Sequence, residues 1–156
     1  MIKQDDKLQI SSLLRAQNII FVDGVYSKEE CLKKLIESIY PSVSAFISMR
    51  QLNERLAETE KLNRVLESGF YLPHAKFSEL DDFYAVLGIS GKGFIDNVSG
   101  LTIKAALLLL SPYKSMFFQK HLNMLSILSQ IFQPDLIERI SVLKDTAAIA
   151  KIISEK

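Results

Sequence analysis

Apolar positions along this chain switch between two periods, and the switches mark out its elements. Ile19-Ile20-Phe21-Val22 is a short β-branched and aromatic run with the composition of a strand. Ser27 then stands three residues before Glu30, the spacing of a capping box, and Leu32, Leu35, Ile36 and Ile39 follow at helical intervals. A first helix is expected from Ser27, closed by Pro41. Val43, Phe46, Ile47, Met49, Leu52 and Leu56 open a second helix that frays near Asn63, with Glu54, Arg55, Glu58 and Lys61 pairing on its solvated face.

Strand composition returns at Phe70-Tyr71-Leu72, at residues 83–89 and across residues 101–110, with turns expected at Gly91-Lys92-Gly93 and at residues 97–100. From Phe117 to Phe132 the apolar residues Phe118, Leu122, Leu125, Leu128 and Phe132 recur every three or four positions, as in an amphipathic helix. Two shorter helical patterns follow, Leu136 to Leu143 and Ala147 to Ile153, with starts near Pro134-Asp135 and Asp145-Thr146. No repeat or linker interrupts this order. It describes one α/β domain over residues 1–156, a mixed β-sheet flanked by helices.

Composition narrows what such a domain does. At 156 residues with 48% apolar and 24% charged side chains, the chain carries a sizeable core. Nineteen basic residues against 18 acidic give no field that would hold nucleic acid nonspecifically. The longest apolar run, Ala105 to Leu110, is far short of the roughly 20 residues that span a bilayer. The start of the chain is too polar for a secretory signal, and a lone cysteine excludes an internal disulfide, so a reducing cytoplasm is expected. Cys31 falls within the first helical pattern, where a buried structural thiol is expected.

Chemistry at neutral pH has two places to go, His74 and His121. Imidazole, with an unperturbed pKa of roughly 6.5, serves as nucleophile, proton donor or acceptor. His74 follows a short apolar run and is restrained by Pro73, whereas His121 sits in the first turns of a helix beside Phe117, Met124 and Leu128. His74 is as compatible with a loop or packing role as with a functional one, and His121, on an apolar face, reads more readily as a satisfied core residue than as a ligand. Together, a histidine at a strand end and one near a helix N-terminus suit an anion, a phosphoryl group foremost.

Other chemistries lack their residues. The histidines stand 121 − 74 = 47 positions apart with no metal-ligand spacing, so neither zinc nor another metal is expected, and no cofactor motif is present. Gly91-Lys92-Gly93 lacks the Walker pattern, and Lys92 reads as a solvated turn residue. No G-x-S-x-G elbow supplies a hydrolytic serine.

From about Leu8 to Ile153 the chain resembles the fructose/mannitol-type (type 2) enzyme IIA family of the bacterial phosphoenolpyruvate-dependent phosphotransferase system, above all its freestanding nitrogen-regulatory branch. The resemblance rests on Leu8-Gln9-Ile10-Ser11-Ser12-Leu13-Leu14, Ser27-Lys28-Glu29-Glu30, Leu72-Pro73-His74-Ala75-Lys76, Ala106 through Pro112, and His121-Leu122 with Leu125. It implies that His74 accepts a phosphoryl group from the phosphocarrier protein HPr or its nitrogen-branch counterpart. It implies also that His121 is the supporting histidine. A regulatory phosphohistidine protein without sugar-binding or membrane segment, acting on target proteins, is the expected function.

Two departures accompany the resemblance. Family members carry an arginine and a glycine-rich run before the P-H motif; counted back from His74, the arginine position holds Glu58, and residues 62–68 keep none of the glycines before Gly69. Arg64 and Arg55 are the candidate phosphate contacts in its place. The same departures open an alternative, a degenerate enzyme IIA fold kept as a protein-binding module that no longer takes phosphate.

Overall fold

In the computed structural model, which describes residues 3–156, β5 (Thr102–Pro112) is the strand on which the others register. Its run Ala105 to Leu110 is buried on both faces, as a continuous apolar strand requires. On one side it pairs antiparallel with β4 (Tyr84–Ile95), which pairs parallel with β1 (Ile19–Phe21). Its other side takes β2 (Phe70–Tyr71) and then β3 (His74–Phe77), both parallel to it. This is a mixed open sheet of five strands.

Helices cover both faces. Ala105, Leu107 and Leu109 pack with α1 (Gln4–Leu13), α4 (Phe118–Ile131), α5 (Pro134–Ser141) and α6 (Thr146–Ser154). Ala106, Leu108 and Leu110 pack with α2 (Lys28–Val43) and α3 (Met49–Thr59). The α/β class and the mixed sheet agree with the sequence pattern. No helix among the described residues is long and apolar enough to cross a membrane.

Several boundaries differ from expectation, each for a local reason. Pro41 does not close the first helix: α2 continues through it to Val43. Proline removes only one hydrogen bond this close to the helix end, and burial of Ile39 and Val43 holds the last turn. Val43 therefore ends α2 instead of opening α3, and Phe46 is half-exposed in the link. The second helix starts at Met49, because Ser48 and Gln51 form a reciprocal capping box. Gly91-Lys92-Gly93 is not a turn; β4 runs through it with a register shift, Gly93 taking φ 76° and its N–H donating to Ser90 Oγ. The buried stripe of α4 is His121, Met124, Ile127, Leu128 and Ile131, leaving Leu122 exposed. Helix α1 carried no pattern that the periodicity detected.

The expected structural role of Cys31 holds: it is fully buried in α2, and burial, more than the charge of Glu60, pushes its thiol up to about 12. The turn at residues 97–100 also holds, with Asp96 accepting from Val98 N–H, Ser99 N–H and Ser99 Oγ–H and pairing at 3.1 Å with Lys28.

Residues 64–72 fold as a tight hairpin, with Leu72 N–H donating to Arg64 O and Val65 bridged to Tyr71. Gly69 makes it possible. Its φ is 84°, and a Cβ there would stand 2.6 Å from the Thr102 carbonyl oxygen. Gly69→Ala should therefore destabilise the fold by about 1–3 kcal/mol, read from urea denaturation, whereas Gly100→Ala, whose Cβ meets open space, should cost less.

Candidate functional site

Alternation along β3 decides which way its side chains point. Ala75 and Phe77 belong to the core beneath α2 and α3, so His74 and Lys76 face the opposite side, where α4 lies. The parallel register sets His74 beside Leu109 and Lys76 beside Ser111. His121, in the first turns of α4, comes down onto the same spot. The two imidazole rings have centroids 5.7 Å apart with planes at 50°.

Each ring is fixed by a hydrogen bond at Nδ1. His74 Nδ1 lies 2.7 Å from Leu72 O. A carbonyl only accepts, so Nδ1 carries the proton and Nε2 keeps its lone pair. His121 Nδ1 lies 2.7 Å from Ser111 Oγ, a hydroxyl that is itself fully buried in β5. When that hydroxyl donates, the His121 proton moves to Nε2, free to donate elsewhere.

Burial and neighbouring cations favour the neutral form of both rings. Burial lowers the pKa of His74, and the charges of Arg64 and Lys76 lower it further while the Leu72 hydrogen bond acts the other way. His121 is lowered to about 4, first by burial, then by His74, Lys76 and Arg64. Two cations thus act on both rings. Arg64 arrives on the hairpin that replaces the glycine-rich run, opposite Leu72, and its Nε is buried without a partner. Lys76 is held over the rings of Tyr113 and Phe118, at 5.2 and 5.1 Å.

Of the sequence candidates, His74, His121 and Arg64 are brought together and Arg55 is not. Arg55 is exposed on α3 and lies 5.6 Å from the ring of Phe77, which points to the other face of the sheet. Glu58 is exposed on the same helix, in a groove with Gln51, Glu54 and Glu79. Two residues were missed as site members. Ser111 is a hydroxyl at the end of an apolar strand, and Lys76 shares the strand face of His74 at i, i+2; both were readable from spacing once β3 and β5 were paired. No cluster of three or more metal-ligating side chains occurs among the described residues.

This arrangement matches a known domain. The family model for the phosphoenolpyruvate-dependent sugar phosphotransferase system, EIIA 2, matches residues 12–156. The chain belongs to that family. No curated protein matches it significantly by sequence. Among solved structures, nitrogen regulatory protein IIA-Ntr from Neisseria meningitidis superposes with a TM-score of 0.79 at 21% identity, covering 92% of this chain and 98% of the other. IIA mannitol from Escherichia coli gives 0.71 at 14% identity, covering 90% and 98%. The complex of Escherichia coli enzyme IIAMtl with phosphorylated enzyme IIBMtl gives 0.69 at 13% identity, covering 92% and 98%. At these identities the solved structures establish the EIIA fold alone.

Lowered histidine pKa values make stability of this EIIA chain pH-dependent. The unfolded chain binds a proton at His121 below about 6.5, the folded chain only below about 4. Stability should be full above pH 6.5 and fall as pH drops towards 4, with His74 contributing in the same sense. Glu60, raised mainly by burial, contributes in the opposite sense. Urea midpoints at pH 7 and pH 5 should differ more in the wild type than in His121→Asn, and equal differences would refute the assignment.

Proposed function

We propose that this chain is a regulatory phosphohistidine protein of the phosphotransferase system, accepting a phosphoryl group at His74 Nε2 from a phosphocarrier protein, HPr or its nitrogen-branch counterpart. One observation carries the reading: His74 and His121 face each other with His74 Nδ1 tied to Leu72 O. The His74 Nε2 lone pair attacks phosphorus in line, a new N–P bond forms, and the donor's N–P bond breaks with its imidazole leaving. Such transfer needs positioning and neutralisation of the equatorial oxygens more than covalent help.

Each neighbour then has a role. His121 Nε2–H, set by a donating Ser111 hydroxyl, donates to a phosphoryl oxygen. Arg64 supplies the cation that residue 58 does not, and Lys76 adds a second. His121 lies in the first turns of α4, so the positive end of that helix is on the same side as the anion. Exposed Tyr113, Met116, Phe118 and Leu122 give the donor protein an apolar surface. A cytoplasmic location, and regulated proteins as the recipients of the signal, fit this reading.

The degenerate-module reading is favoured by Glu58 and the lost glycines, and one experiment separates the two. The chain is incubated with phosphoenolpyruvate, enzyme I and the phosphocarrier, and labelling is followed by mass spectrometry. Wild type should acquire one acid-labile phosphate and His74→Ala none. His121→Ala and Arg64→Ala should slow transfer by about a hundredfold, the scale of one lost charge-stabilising donor. Because Arg64 already acts on both rings, Glu58→Arg should change the rate little. Absence of labelling with an active donor would establish the module instead.

A further inference from the structure

Among the described residues, the buried side-chain polar atoms that lack a hydrogen bond of ordinary geometry are Glu60 Oε1, Arg64 Nε, Ser68 Oγ and Tyr71 Oη, and all of them fall between residues 60 and 71. An interior that satisfies its polar groups everywhere but in one stretch calls for a reason there. That stretch leads from the end of α3 into the hairpin beside the histidines.

Hairpin register decides which face each side chain serves. Val65 lies across from Tyr71, and both join the core beneath α2 and α3. The neighbouring pair, Arg64 and Leu72, therefore points to the opposite face, as do Leu66 and Phe70, which pack on the α4 side. Arg64 is thus aimed at the histidine side from the outer edge of the sheet. Glu60, just past the last turn of α3, faces the Tyr71 hydroxyl.

Two cations act on Glu60. Lys28 is already committed, pairing with Asp96 at 3.1 Å and standing over the Tyr71 ring at 5.9 Å. Arg64 is the other, and the same guanidinium acts on His74 and His121. Glu29 and Cys31 of α2 also face the carboxyl, whose pKa burial raises while Tyr71, Lys28 and Arg64 lower it. The charges felt at the rings are Arg64 and Lys76, with His74 adding at His121, so Glu60 reaches them through Arg64.

We propose that Glu60 is a positioning residue for the histidine site: its carboxylate draws Arg64 towards the end of α3 and so sets how much positive charge reaches His74, His121 and an anion held between them. The proposal rests on the phosphoryl reading only for the identity of that anion. A phosphoryl group on His74 then competes with Glu60 for one guanidinium.

The test is a double-mutant cycle read by NMR titration of the two imidazoles in wild type, Glu60→Gln, Arg64→Met and Glu60→Gln with Arg64→Met. Glu60→Gln keeps the shape and removes the charge that offsets Arg64, so both ring pKa values should fall. Arg64→Met keeps the apolar stem and removes the cation, so both should rise, and adding Glu60→Gln should change nothing further. Arg64→Lys, which keeps the charge, should retain the response to Glu60→Gln. A merely structural role for Glu60 would shift the rings alike with or without Arg64; that result, or no shift in either background, overturns the proposal. The second readout is equilibrium with the phosphocarrier, where Glu60→Gln should raise the ratio of phosphorylated to free chain by about fivefold, the low end of coupling between sites, and should have no effect beside Arg64→Met. An intact ring cycle without labelling of wild type would refute the acceptor role of His74 and support that of Glu60, and labelling with an additive cycle would do the reverse.

Discussion

Strand β5 is the constraint on which the rest of the structure depends. Its apolar run is buried on both faces, so it tolerates no slip: a one-residue shift would exchange the residues serving the α4 side with those serving the α3 side. β3 reads its own orientation from that register. Placing His74 beside Leu109 and Lys76 beside Ser111 sends His74, a cation and the hydroxyl partner of His121 to one side of the sheet. The geometry of the histidine pair is thus a property of strand pairing first and of side-chain contacts second.

Most of the architecture was legible because its signals are local. Ser27 caps α2 as its spacing to Glu30 implied, and the apolar runs of β4 and β5 are where composition put them. Failures cluster where tertiary burial overrides a local rule. Pro41 is carried inside a helix by buried neighbours, and a glycine pair that reads as a turn is absorbed as a bulge in a long hairpin. Ser48-x-x-Gln51 was a readable start for α3 that hydrophobic spacing alone obscured. Helix α1 mixes polar and apolar residues without a clear stripe, and only Ile10 and Leu13 of it are buried.

The site was half legible. Histidine scarcity pointed to His74 and His121, but periodicity cannot show that a hairpin folds residues 64–72 back on themselves and delivers Arg64 to both rings. Counting along the chain compares positions, whereas the phosphate would see charge in space. Glu58 and Arg55 occupy the expected stretch of sequence and the wrong face of the sheet. Arg64 occupies an unexpected stretch and lies close enough to act on both rings.

Fixed cations beside a histidine pair bear on where a phosphoryl group rests. On the proposed reading, Arg64 and Lys76 favour the dianionic phosphohistidine over the neutral ring, so the N–P bond at His74 has a lower group-transfer potential than one on a solvent-facing imidazole. Exchange with a donor then lies towards this chain, and onward donation is uphill. A protein so poised fills when its donor is charged and releases the group only slowly afterwards. That makes it a gauge of upstream phosphoryl supply, better suited to reporting flux than to carrying it.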